Sequence, residues 1–77
     1  MKVELHNTSK IVELDVGGAT VPARIWEGIT ENGVRCHAYI TRIAAHKDQD
    51  LSLFEAELQA EAPPSAEIQA IPFRLIL

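Results

Sequence analysis

Cysteine is almost missing from this chain. Its 77 residues hold one, Cys36, so no internal disulfide can form. Small secreted domains usually carry several disulfides to offset a thin core, and a lone thiol points instead to a reducing compartment, so a cytoplasmic location is expected. Long apolar runs are missing as well. Even the apolar C-terminal stretch is broken by Pro72 and Arg74. Nothing approaches the roughly 20 apolar residues of a membrane-spanning helix. The opening Met1-Lys2-Val3-Glu4 leads into no apolar region of the kind that drives secretion. Glycine and proline, four of each, are too few for a linker or a low-complexity chain. Positive charge is scarce: seven Lys and Arg stand against eleven Asp and Glu, a net charge of -4. That balance weighs against a general nucleic-acid binder.

What remains is ordinary globular composition, 47% hydrophobic, and residues 1–77 are read as a single domain. A domain of this size buries only about 60–65% of its unfolded surface. Its core rarely supplies more than about 3–5 kcal/mol, and no disulfide supplements it. Burying surplus apolar residues against a second copy is one solution to that shortage.

The first 45 residues read as strands. Turn signals stand at Asn7-Thr8-Ser9, Gly17-Gly18 and Glu31-Asn32-Gly33. Gly-Gly and Asn-Gly favour tight hairpins because those turns need positive φ. Between the turns apolar residues alternate: Val12, Leu14, Val16; then Val21, Ala23, Ile25, Ile29; then Val34, Cys36, Ala38, Ile40. A period of two indicates strands with one buried face. A hairpin centred on Gly17-Gly18 sets Leu14 opposite Val21 and Val12 opposite Ala23. One centred on Asn32-Gly33 sets Ile25 opposite Ile40 and Trp26 opposite Tyr39. These two turns conflict, since Ala19 and Glu31 would both direct their backbone groups to the same side of the middle strand. One turn must be wider, or a bulge must intervene. A third turn over Asn7 to Lys10 would make a four-stranded meander; otherwise residues 1–16 form one long bent strand.

Past Ala45 the pattern changes. Leu51 to Glu61 reads as a helix with Leu51, Phe54 and Leu58 on one face. Asp48, Asp50 or Ser52 can cap it, and Pro63-Pro64 ends it. Residues 65–70 are expected as a short helical turn, with a strand as the alternative, and Phe73 to Leu77 as a closing strand. The fold class is therefore α+β: an antiparallel meander of three or four strands, one helix on its apolar face meeting Val12, Leu14, Ile25, Cys36 and Ile40, and a C-terminal strand.

Catalytic chemistry finds little support. Cys36 and His37 are adjacent, and strand neighbours point to opposite faces, so they cannot form a thiolate–imidazole pair. His6, His37 and His46 lack the spacing of metal ligands. Glu55, Glu57 and Glu61 fit the solvated side of a helix. Gly17-Gly18 is followed by no helix that would present N–H groups to a phosphate. A pocket of about 300 Å³ is hard to fit in so small a domain. No enzyme activity, cofactor or metal is expected.

The most informative surface is the expected outer face of the meander, with Arg24, Trp26, Arg35, His37, Tyr39 and Thr41 together. Aromatic residues ringed by arginines match binding hot spots. The plain alternatives are a cross-strand stabilising pair on a solvated face, or a C-terminal segment folded over it. The expectation is a small non-enzymatic accessory or modulator protein that binds an unidentified protein partner, in the style of phage or mobile-element proteins. The alternative is a nucleic-acid binder using the same aromatic and basic face. A two-fold homodimer is also expected. Leu53, Ala56 and Ala60 add a second apolar set on the helix, Ile11 and Ile43 are apolar on the outer face, and Phe73, Leu75 and Leu77 form a terminal self-association strand.

Overall fold

Gly17 and Gly18 both take positive φ, at 59° and 84°. That is the backbone of a two-residue hairpin turn whose twist matches that of its strands. It joins β1 (Val3–Val16) to β2 (Ala19–Thr30) with Leu14 opposite Val21 and Val12 opposite Ala23, the register read from the sequence. In the computed structural model, which describes residues 1–76, these strands are followed by β3 (Arg35–Ile40), α1 (Leu51–Gln59), α2 (Ala66–Gln69) and β4 (Arg74–Ile76). The fold is α+β, with a mixed four-stranded sheet in the order β3-β2-β1-β4. The β1–β2 and β2–β3 pairs are antiparallel, while β4 runs parallel to β1. The expected antiparallel meander is β1 to β3, and the C-terminal strand joins it in parallel, which the long crossover through both helices permits.

The second hairpin resolves the turn conflict. Thr30, and not Glu31, closes it. Thr30 N–H donates to Val34 O at 2.9 Å, Gly33 N–H to Thr30 O at 3.0 Å, and Val34 N–H to the Thr30 hydroxyl at 3.0 Å. The loop is thus Glu31-Asn32-Gly33, with Gly33 at φ 86° in the left-handed position such loops require. The extra residue slips β3 by one place, so Ile25 faces Tyr39 and Trp26 faces Ala38. A one-residue slip exchanges the faces of a whole strand. Arg35, His37 and Tyr39 therefore share the Ile25 side, and Cys36, Ala38 and Ile40 share the Trp26 side.

Residues 1–16 form one long strand, and the turn signal at Asn7 to Lys10 becomes an insertion within it. Asn7 pairs with Trp26 and Ile11 with Arg24, so Thr8, Ser9 and Lys10 stand against Ile25 alone. Thr8 is fully buried. Its hydroxyl donates to the Ile25 carbonyl at 2.6 Å and accepts from Lys10 N–H at 3.2 Å, replacing the ladder bonds that the insertion breaks. Because the insertion adds two residues, both halves of β1 keep the same parity of faces. Further along, β1 lies so close to Gly28 that a Cβ there would collide with the Glu4 carbonyl.

The core is Val12, Leu14, Ala23, Ile25 and Ile68, with Tyr39, Ile71 and Leu75 packed around it. The helix over this face is α2, capped by the Ser65 hydroxyl at Ile68 N–H. The expectation for α1 is overturned: it lies across the other face, beside Trp26. Asp50 caps it by accepting from Leu53 N–H at 3.0 Å. None of its residues is buried; Phe54 and Leu58 are half-buried and Leu51 is exposed. Its apolar stripe is too narrow for a core helix, and the interrupted segment after Pro64 supplies the better-placed Ile68. The chain passes from one face to the other around the edge of β1, where Ala62 N–H donates to Asn7 O and Ser9 N–H to Ala62 O.

The central role of Thr8 predicts a specific sensitivity. Thr8→Val keeps the shape but leaves the Ile25 carbonyl unbonded, and should cost about 1–3 kcal/mol in urea unfolding. Thr8→Ser retains the hydroxyl and should cost clearly less. Equal losses for both would place the effect in packing.

Candidate functional site

The expected binding surface is divided by the register of β3. Arg24 and Trp26 lie on one face of the sheet, and Arg35, His37 and Tyr39 on the other. The two-residue turn assumed at Asn32-Gly33 is the source of the difference.

On the first face, Arg24 is committed to structure. Its guanidinium pairs with the Glu61 carboxylate and donates to Thr8 O at 2.8 Å, which ties the bulge to the segment after α1. Trp26 is half-buried between the sheet and α1. Shallow clefts of about 260 and 270 Å³ flank it, lined by Ile11, Ile40, Ile43, Phe54 and Leu58 among others. Asn7 holds α1 here by donating from Nδ2 to Leu58 O at 2.7 Å. The segment beside Trp26 is α1 and not the C-terminal strand, which pairs with β1 instead. A larger groove of about 540 Å³ lies at the far end of the β1–β2 pair, lined by Lys2, Val3, Glu4, Ile29, Thr30, Glu31 and Gly33. It exceeds the size argued from chain length because it is an open trough between the N-terminal residues and a hairpin loop.

On the second face, His6, Glu27 and His37 stand in cross-strand register. This row was hidden from the sequence by the slip of β3. Glu27 Oε2 accepts from Ser65 N–H at 2.8 Å. That bond holds the Glu27 carboxyl below its ordinary range; burial opposes the shift, and the Ser65 hydroxyl, His6 and Arg35 reinforce it. Arg35 pairs with Glu67 at 2.9 Å. The His37 ring meets Tyr39 edge-on, with centroids 5.3 Å apart and Nε2 3.1 Å from the phenol oxygen. Among the described residues, no three His, Cys, Asp or Glu are grouped to hold a metal ion. Cys36 lies on the Trp26 side, opposite His37, and the two do not form a reactive pair.

The backbone of β3 is the less expected feature. Because Thr30 and Val34 are hydrogen-bonded partners, alternation makes Cys36, Ala38 and Ile40 the residues bonded to β2. The N–H and C=O groups of Arg35, His37 and Tyr39 then point away from the sheet. Among the described residues no hydrogen bond reaches them. The opposite edge differs: Ala62 bonds β1 at Asn7 and Ser9, Phe73 O accepts from Glu13 N–H, and the edge strand beyond, β4, is only three residues long. Of the expected self-association residues, Leu75 pairs with Leu14 and packs on the core, Phe73 is exposed, and Leu77 lies outside the described residues.

In comparison with known proteins, no family model, curated protein or solved structure matches this chain. No helix among the described residues is long and apolar enough to cross a membrane.

The Glu27–Ser65 bond predicts a pH signature. A carboxyl held low in the folded state contributes stability above its unfolded pKa, and loses it as pH falls through the folded value. Glu27→Gln should therefore be less stable than the parent at neutral pH. That gap should narrow on acidification below the carboxylate range, as read from denaturant midpoints. A gap independent of pH would remove the ionic contribution.

Proposed function

We propose that this chain is a non-enzymatic protein-interaction protein of the cytoplasm, an accessory or modulator, which binds by adding a strand to the open edge of β3. The observation that carries this reading is the unpaired row of backbone groups at Arg35, His37 and Tyr39. Exposed strand edges are templates for pairing, and natural proteins blunt them with proline, lysine, bulges or a covering segment. β3 contains neither proline nor lysine and pairs with β2 without a register shift, whereas β1 is bulged and covered over much of its length. An added strand gains main-chain bonds from the edge and specificity from alternate side chains. Here these are Arg35, His37 and Tyr39 on one side and Cys36, Ala38 and Ile40 on the other. The lone thiol supports the reducing compartment.

Nucleic-acid binding has weaker support. Its platform required tryptophan, tyrosine and both arginines on one face. They are divided, and each arginine is ion-paired with a glutamate. The net charge of -4 opposes it further.

The edge is tested with His37→Pro. Proline lacks the outward N–H and is tolerated on edge strands where that group faces solvent. Used as bait in extract of the source cell, the parent chain should capture a partner that His37→Pro does not, with or without nuclease treatment. Equal capture by both baits would move the binding site elsewhere. Capture abolished by nuclease would favour nucleic acid.

A further inference from the structure

We infer that the strand received by β3 is β3 of a second copy, paired antiparallel across a two-fold axis at His37. The inference rests on the edge reading above and gives it a partner and a register. In an antiparallel pair, outward-directed residues bond when they face one another. Placing the axis at His37 sets His37 opposite the partner's His37, and Arg35 opposite the partner's Tyr39. All three outward residues of each copy are then paired, giving about six hydrogen bonds, two for each bonded pair. Moving the axis to Cys36 or Ala38 leaves one outward residue of each β3 without a partner inside the strand. The sequence of the edge thus selects one register.

The side chains agree with that register. On the Ile25 side each Arg35 meets a tyrosine ring across the junction, an arrangement that favours a guanidinium over an aromatic face. No two full charges of like sign oppose one another, since the remaining residue at the axis is His37. On the Trp26 side Cys36 faces the partner's Ala38, small apolar residues that let the sheets approach without burying a charge. The association also closes. An isologous contact uses the same surface on both copies, and the other edge strand of the sheet, β4, is only three residues long. Two copies make one continuous sheet, with no repeat of the contact available for a filament. The junction supplies the second copy that a core of five buried apolar residues among those described, and an open edge, call for. It places the dimer contact on β3 instead of the terminal strand, because β4 offers an edge of only three residues.

The register is testable by cross-linking. Hydrogen-bonded antiparallel partners have Cα atoms about 5.5 Å apart, within reach of a disulfide. In a Cys36→Ala background, His37→Cys should form a covalent dimer on mild oxidation. Arg35→Cys should not, because it lies roughly 14 Å along the strands from its own copy. Sedimentation of the parent chain across micromolar to submillimolar concentrations should give a mass rising toward twice 8.5 kDa. His37→Pro should stay at the single-chain mass with an unchanged circular dichroism spectrum; if that variant is unfolded, the cross-linking pair decides. A single-chain mass throughout, or equal cross-linking at both positions, overturns the inference. A monomer whose capture of another protein still depends on the edge would overturn only the self-pairing. A monomer with no edge-dependent capture would overturn the strand-addition reading too.

Discussion

The hydroxyl of one buried threonine holds the two halves of this sheet together. At Thr8 the β1 strand carries two residues more than its neighbour accommodates, and the ladder would open there without a substitute. The Thr8 side chain supplies it by bonding the Ile25 carbonyl. Everything nearby is arranged on that bulge. Arg24 reaches the Thr8 carbonyl, Asn7 fixes the end of α1, and Ala62 bonds on the outer side, where the chain turns from one face to the other. A buried polar cluster like this is costly unless every group is satisfied. Among the described residues no buried side-chain nitrogen or oxygen lacks a partner.

The position of the helices follows from that crossing. Between α1 and α2 the chain must round the edge of β1, and the bulge provides free backbone groups for it. The sequence marked α1 clearly, since an acidic cap and a recurring apolar spacing lie within one run. It did not mark the face α1 covers, because Leu51, Phe54 and Leu58 suit either side of a small sheet. Ile68 occupies the core from a single helical turn, and a single turn carries no measurable period. Pro64 marks where that turn can start, and the Ser65 cap that fixes it is seen only in the structure.

The strands show the same division between local and long-range information. Alternation and paired glycines were enough to place Val12, Leu14, Ala23 and Ile25 in the core and to set the β1–β2 register. Asn32-Gly33 allows either a two-residue turn or a three-residue loop, and local chemistry does not separate them. The sidedness of β2 demands only that one of its two turns be wider or that a bulge intervene, because its two neighbours must be bonded by residues of opposite parity. Widening the second turn, as the structure does, moves Tyr39, His37 and Arg35 to the core face and dissolves the aromatic–arginine surface. The row of His6, Glu27 and His37 becomes visible by the same step.

The residues that looked like a recognition surface are mostly engaged: Arg24 with Glu61 and Thr8, Trp26 beneath α1, Arg35 with Glu67. Among the described residues, the longer of the two sheet edges with unspent backbone hydrogen-bonding capacity is the outer side of β3. Residue-resolved amide hydrogen exchange addresses that claim most directly. In dilute protein, the amides of Cys36, Ala38 and Ile40 should be protected by β2 while those of Arg35, His37 and Tyr39 exchange freely. As protein concentration rises, the second set should become protected with the first. Protection of Arg35, His37 and Tyr39 that does not change with concentration, whether high or low throughout, would contradict a β3 edge that is completed by a second copy.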